Sequence, residues 1–331
     1  MIITVTPNPS IDRTVALTTP LTRGAVHRVT TVSSEAGGKG VNVARALTSA
    51  GVQALALLPA PPADPLITAL NAASVPFRCV PTDEPVRTNL TITEHDGTTT
   101  KLNEPGAAMD APTVDALTES VVTAAQSASW VVLSGSLPPG MPDGWYADIV
   151  AMLTAFGCRV AVDTSDRPLT ALVESFDRAA PDLIKPNAEE LAGVLGYSPL
   201  ALEAAVAQGD PEPVVSAARR LIDRGVGAVL ATLGSAGAVL VDDNGSWFAT
   251  PPPITPRSTV GAGDAALAGY VRAEVAGAAP PQRLQMAVAY GSAAAALPGS
   301  AQPRPADLDL DAVHVLPVAP TSSAANPKVA P

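Results

Sequence analysis

Apolar residues in this chain fall into two rhythms. Ile2 to Thr6, Ala54 to Leu58, Trp130 to Leu133, Leu183-Ile184, Ala228 to Thr232 and Ala238 to Val241 are short runs with little polar alternation. Arg159 to Val162 and Pro76 to Val80 are similar but weaker. Such runs predict strands buried on both faces. Between them apolar positions recur every third or fourth residue, as at 43, 44, 47 and 50. This second rhythm predicts helices over Val41 to Leu47, Asp64 to Ala73, Thr113 to Ala125, Asp143 to Phe156, Ala188 to Leu195 and Pro213 to Arg224. Two alanine-rich helices follow, at about 264–276 and 281–296. The alternation is regular from 52 to 232 and predicts an α/β fold, a mostly parallel sheet with helices on both faces.

Four segments break the pattern. Arg13 to Leu17, Val26 to Val32, Arg87 to Glu94 and Thr98 to Leu102 carry β-branched residues with polar neighbours, and Asp96-Gly97 signals a hairpin turn. They predict a small accessory sheet outside the main body, placed to cover a cleft. Its apolar face needs burial, for which a second copy of the chain is one source. The expected organisation is one domain over 1–315, with accessory strands in 12–32 and 86–103. A tail over 316–331, rich in Pro, Ala and Ser, is expected to be disordered.

Composition narrows the function. The chain has 331 residues, of which 47% are hydrophobic and only 3% aromatic, so alanine and valine supply the core. The formal net charge of −11 argues against nucleic-acid and anionic-membrane partners, whose phosphates the field would repel. A small anionic substrate remains compatible if a few basic residues gather at one site. Cys79 and Cys158 lie far apart, without metal-ligand spacing, and read as buried thiols in a reducing compartment. No basic segment precedes the first apolar run, and no run reaches membrane-spanning length, so the expectation is a cytoplasmic protein.

The chemistry centres on Ser258 to Val271. Gly261 and Gly263 free the backbone to turn, Asp264 follows, and small apolar residues continue as a helix. A glycine turn opening a helix presents free N–H groups at the positive end of the macrodipole, which is an anion site. Asp264 there is either an N-cap or first-turn acid of the helix or a base that takes a proton from an attacking hydroxyl. Ala36 to Gly40 is a second glycine turn at a helix start, with Lys39 inside it. It lacks the glycine spacing and the Ser/Thr of a P-loop. Asp12 lies past the first strand, placed either to hold a sugar hydroxyl or as a solvated turn residue. Asn187 and Glu190 form either a capping pair or the hold on a hydrated Mg²⁺. In an open α/β sheet ligands bind beyond the carboxyl ends of the strands. Asp12, Gly38, Lys39, Ser134, Asp163, Lys185, Asn187 and Asp264 all fall at such ends.

Six segments in order resemble the pfkB-type (ribokinase-like) sugar kinases: Thr6 to Asp12, Gly37 to Ala44, Arg87-Thr88-Asn89, Ser134 to Pro138, Lys185-Pro186-Asn187 with Glu190, and Val260 to Asp264. The resemblance spans the chain to about 310 and is greatest with the 1-phosphofructokinase branch. It implies a three-layer ribokinase-like domain with a small β-sheet lid. It implies Asp264 as catalytic base and Gly261, Ala262 and Gly263 as the anion hole. Lys185, Asn187, Thr232, Gly234 and Gly237 match the nucleotide side, with Glu190 acting on Mg²⁺ through water. Asp12, Gly38 and Asn42 match sugar-hydroxyl contacts, joined on the substrate side by Asn89 and Ser134. Lys39 and Arg87 match positions that face a phosphate already on the substrate.

The implied reaction is ATP-dependent phosphorylation of D-fructose 1-phosphate by a homodimer joined through the lid. Tagatose-6-phosphate kinase and 6-phosphofructokinase are close alternatives. A sugar-phosphate sensor on a kinase fold is an alternative of another class. The chain departs from the family at Leu57 to Leu66, which is Pro/Ala-rich where many members carry a glycine-rich loop.

Overall fold

A computed structural model describes residues 1–319. The chain opens with β1 (Ile2–Val5), β2 (Ser10–Ala16) and β3 (Thr31–Gly37), then α1 (Lys39–Ser49), β4 (Ala54–Pro59), α2 (Pro65–Ala72) and β5 (Phe77–Val80). A hairpin follows, β6 (Arg87–Thr93) and β7 (Thr99–Asn103). The next units are α3 (Ala111–Ala125), β8 (Trp130–Ser134), α4 (Trp145–Leu153), β9 (Arg159–Asp163), α5 (Asp166–Glu174), α6 (Phe176–Ala179) and β10 (Leu183–Ile184). Then come α7 (Ala188–Leu195), α8 (Pro199–Ala207), α9 (Glu212–Ile222), β11 (Ala228–Thr232), β12 (Ala238–Asp242) and β13 (Gly245–Thr250). The chain ends on α10 (Ala262–Val275), α11 (Pro280–Ala295) and β14 (His314–Pro317).

Ten strands form the main sheet in the order β14-β13-β12-β11-β10-β9-β8-β1-β4-β5. From β11 to β5 every neighbouring pair is parallel, and β12 to β14 add an antiparallel edge. The continuous apolar runs are explained by two cores. Ile3, Val131, Val160 and Val229 point to one face, under α3, α4, α5, α7 and α9. Ile2, Trp130, Ala161 and Leu230 point to the other, under α1, α10 and α11. Strand side chains alternate between faces, so a strand covered on both must be apolar at every position.

The second sheet has the order β3-β2-β6-β7. The hairpin of β6 and β7 forms as expected. The first two accessory strands differ from the expectation. Residues 26–30 are not a strand, and β3 instead runs from Thr31 through Ala36 and Gly37. Val26 and Val29 lie outside the ladder, Val26 being 89% exposed, and Thr30 adds only a single N–H bond to Ala16 O at 3.1 Å. Register decides the strand: Ser10 pairs with Gly37 and Ala16 with Thr31. The consequence is functional, because β3 leads straight into the glycine turn before α1.

Three further helices, α5, α6 and α8, are not announced by the apolar rhythm. Pro168 near the start of α5 and Pro199 at the start of α8 read as breakers in sequence, yet both sit in a first turn, where proline is tolerated. The tail expectation also needs correction at its start. Leu316 and Pro317 pair in register with Phe248 and Trp247 as part of β14, and Val318 N–H donates to Ser246 O. Residues 320–331 of the expected tail lie outside the described residues.

Candidate active site

The carboxyl ends of β1, β8, β9, β10 and β11 lie along one edge of the main sheet, because these strands are parallel neighbours. At that edge Asp163, the last residue of β9, has no solvent exposure. Lys39 Nζ, at the head of α1, lies 2.8 Å from its Oδ1, and Lys185 Nζ, just past β10, lies 3.3 Å from its Oδ2. Burial alone would raise the Asp163 pKa; the two ammonium charges, Lys185 and then Lys39, instead hold it below the ordinary carboxylate range. Burial likewise opposes the Lys39 charge, but Asp163, Asp264 and Glu190 keep that ammonium above its ordinary value.

Gly261 caps α10 in the left-handed region, with φ +78°. A side chain there would be strained and would bring a Cβ to 3.1 Å from Gln302 Nε2. Ala262 N–H turns back to Thr259 O at 3.4 Å, and the first bond of the helix runs from Ala265 N–H to Gly261 O at 2.8 Å. The remaining N–H groups of the first turn have no acceptor within the helix. A Cβ on Gly263 would lie 3.3 Å from Lys185 Nζ, so the lysine ammonium stands against the head of the helix.

Asp264 is 7% exposed and does not cap α10, which has no side-chain cap. Its Oδ2 instead accepts from Asn42 Nδ2 at 2.9 Å. Asp264 is therefore not an N-cap, although it does stand in the first turn of α10. Burial, then the negative charge of Asp163, pushes the Asp264 pKa up to about 6, against the opposing effects of Lys39, the Asn42 hydrogen bond and Lys185. A buried carboxyl with a pKa near neutrality is suited to proton abstraction.

A second group gathers where the small sheet meets the glycine turn. Asp12 Oδ1 accepts from Asn89 Nδ2 at 3.0 Å and from Ser10 Oγ at 2.8 Å. Any Cβ on Gly37 would collide with the Asp12 carboxylate. Gly38 has φ +105° and packs on Thr6, which accounts for glycine there. Arg87, at the start of β6, is half-buried; Nη1 donates to Glu104 O at 3.2 Å and Nε is buried without a hydrogen-bond partner. Burial lowers its pKa, against the charges of Asp12 and Glu104. Arg87 also lines an open cavity of about 350 Å³ together with Asn8, Asp83, Asp110 and Pro138.

Other expected residues fall differently. Ser134 has no exposed surface, and its hydroxyl is buried without a hydrogen-bond partner. Ser136, two residues on, is the half-buried hydroxyl of that loop and accepts from Asn8 Nδ2 at 3.2 Å. Asn187 and Glu190 form a reciprocal capping box: Glu190 N–H donates to Asn187 Oδ1 and Asn187 N–H to Glu190 Oε2, both at 2.8 Å. Burial raises the Glu190 pKa, against the Lys39 charge and the Asn187 N–H. Thr232 bridges to Asn187, so the β11 turn lies beside the start of α7. Gly234 there faces open space, whereas a Cβ on Gly237 would strike the carbonyl of Ala249. Gly237 is therefore required by packing against β13.

Among the described residues no cluster of three His, Cys, Asp or Glu is arranged to hold a metal. Glu190 alone fits the weaker role of touching a hydrated ion, since Mg²⁺ keeps most of its waters and takes substrate phosphates as ligands. No described helix is long and apolar enough to cross a membrane.

Residues 5–307 match the pfkB family carbohydrate kinases. The chain is 37% identical over 274 residues to a 1-phosphofructokinase of Xanthomonas campestris pv. campestris, covering 82% of this chain and 83% of that protein. It is also 37% identical over 294 residues to a 1-phosphofructokinase of Rhodobacter capsulatus, covering 87% and 88%. Its fold is similar to the crystal structure of phosphofructokinase-2 from Escherichia coli in complex with substrates and products, with a TM-score of 0.83 and 30% identity over 92% of this chain and 96% of that one.

Proposed function

The chain belongs to the pfkB family of carbohydrate kinases and is a phosphotransferase, and we propose that it converts D-fructose 1-phosphate and ATP to fructose 1,6-bisphosphate and ADP. The observation that carries the reading is Asp264, buried at the head of α10, held by Asn42 and with a pKa near 6. With Oδ2 engaged by Asn42, Oδ1 is left for the substrate hydroxyl.

Phosphoryl transfer depends on alignment and charge stabilisation more than on covalent help. The hydroxyl oxygen forms its bond to the γ-phosphorus as the bond to the β–γ bridging oxygen breaks, and its proton passes to Asp264. The N–H groups of Gly261 and Gly263, joined by Ala262 N–H once it leaves Thr259 O, form the anion hole for the transferring group, supported by the helix dipole and by Lys185 against Gly263. Mg²⁺, carried in with ATP, supplies neutralisation of the phosphate oxygens. Glu190 would contact the water shell of that ion, and Asn187, Thr232 and Gly234 would border the nucleotide.

On the sugar side, Asp12, Asn89, Gly38 and Asn42 take the hydroxyls. Arg87 takes the phosphate already present, because its guanidinium keeps an unpaired Nε. Lys39, whose ammonium is engaged with Asp163, is the second basic residue for that phosphate. The small sheet acts as a lid and as the contact of a homodimer. Support comes from its exposed apolar residues Val32 and Leu102, at 45% and 56% exposure, with Val29 at 45% in the segment leading into β3. Sedimentation of the purified protein at micromolar concentration tests the dimer, and a monomer there removes it.

ADP release measured with fructose 1-phosphate, fructose 6-phosphate, tagatose 6-phosphate and plain fructose tests the activity. The expected result is a clear preference in kcat/KM for fructose 1-phosphate. Preference for either 6-phosphate replaces the substrate but keeps the chemistry. Saturable binding with no turnover of any sugar overturns the kinase reading in favour of a sensor.

A further inference from the structure

Arg45 stands on α1 one turn beyond Asn42, and its side chain is only 14% exposed. Its guanidinium serves four acceptors from three parts of the chain. Nη2 meets Glu35 Oε2 at 2.7 Å. Nη1 faces Ala36 O at 3.1 Å, Ser300 O at 3.2 Å and Asn42 Oδ1 at 3.4 Å. Glu35 and Ala36 belong to β3 of the small sheet. Ser300 lies in the segment after α11, and its hydroxyl donates to the same Glu35 oxygen at 3.1 Å. Gln302 Nε2 donates to Ser300 O at 3.0 Å and packs against Gly261.

This arrangement bears on the base through one amide. An asparagine side chain can present either its oxygen or its NH₂ in a given direction. Asp264, when ionised, accepts only, so it needs the NH₂. A cationic donor on the opposite side makes the choice, because Arg45 can only donate. We propose that Arg45 is a positioning residue for phosphoryl transfer, holding the Asn42 amide with its NH₂ toward Asp264 while Glu35 and Ser300 anchor its guanidinium. The proposal rests on the kinase reading of Asp264 and extends it to residues outside the site motifs. Because the anchors are β3 and the segment abutting Gly261, the same guanidinium ties the small sheet to the anion turn.

The test is a double-mutant cycle in kcat on the full chain, with ADP release from saturating ATP and sugar phosphate. Arg45→Met lowers kcat about tenfold, the scale of one lost charged hydrogen bond. Arg45→Lys is expected to do nearly the same, since one ammonium cannot satisfy the four acceptors, and it decides the matter if the methionine variant does not fold. In an Asn42→Ala background either change should add less than about twofold, because the amide to be oriented is gone. Glu35→Gln, which weakens an anchor only, should cost less than either Arg45 variant. The proposal is overturned if the Arg45 and Asn42 losses multiply, or if both folded Arg45 variants keep wild-type kcat. If neither the wild type nor any variant turns over any sugar phosphate, the kinase reading fails first. In that case thermal melts of the same set still judge Arg45: losses in melting temperature that add across the cycle overturn it.

Discussion

Lys39 Nζ lies 2.8 Å from Asp163 Oδ1, so the lysine of the glycine turn is committed to a carboxylate with no solvent exposure. Lys185 holds the other oxygen of the same group. A carboxylate buried between two ammonium groups stands only while both partners remain. Asp163→Ala is expected to destabilise the fold by about 3–5 kcal/mol, because it leaves two buried or half-buried cations uncompensated. Urea denaturation at pH 7 measures it; a change below about 1 kcal/mol would show that the charges relax into water.

Asp264→Asn separates chemistry from folding. Turnover should fall about 10²–10⁴-fold, the scale of a lost general base, while sugar-phosphate binding survives. A second outcome concerns stability. The folded-state pKa of Asp264 is pushed up to about 6 from the ordinary 3.8, so the native state binds a proton more tightly than the unfolded chain. Stability from this group is fully present below about pH 3.8 and is lost as pH rises toward 6. Above that window the buried charge costs up to roughly 3 kcal/mol, and the neutral asparagine should recover part of it. An inactive variant that melts higher than the wild type at pH 7.5 is the expected pair of results. A variant with near-normal kcat sinks the assignment of the base.

The pH profile follows from the same group. A base must be deprotonated to act, so kcat/KM for the sugar phosphate should be full at pH 8 and fall through a limb near pH 6. Lys39 and Lys185 favour the ionised form while Asp163 opposes it. Lys39→Met should therefore move the limb to higher pH. A limb that stays in place, or moves down, contradicts the electrostatic account.

Arg87→Ala should raise KM for fructose 1-phosphate by at least about tenfold, the loss of a charged hydrogen-bond pair. Its effect on KM for plain fructose should be small. Equal effects on both sugars would show that Arg87 does not read the phosphate.

Asn187→Ala and Glu190→Gln divide the capping box from the metal. Removing the Asn187 cap should cost about 1 kcal/mol of stability. Glu190→Gln can still accept from Asn187 N–H, so it should leave stability nearly unchanged while raising the Mg²⁺ concentration needed for half-maximal activity. An unchanged Mg²⁺ requirement reduces Glu190 to a helix cap.

Much of this molecule is determined by local sequence. Continuous apolar runs become strands covered on both faces, the three-to-four rhythm becomes helices, and the turns at Gly38 and Gly261 need a residue free to take positive φ. The order of six short motifs identifies the family, and strand ends already point to one edge of the sheet. Tertiary structure alone decided the rest. Asp264 pairs with Asn42 across 222 residues and Asp163 with Lys39 across 124, distances over which periodicity carries no information. Arg45 reads as an ordinary polar position on an amphipathic helix until β3 and Ser300 close around it. The start of β3 was set by pairing register, against its β-branched neighbours. Ser134 is buried, and Gly237 is explained by packing, only through neighbours that the sheet brings in. Propensity and capping act within a few residues, whereas the field on a buried carboxylate is set by whichever charges the crossovers deliver to it.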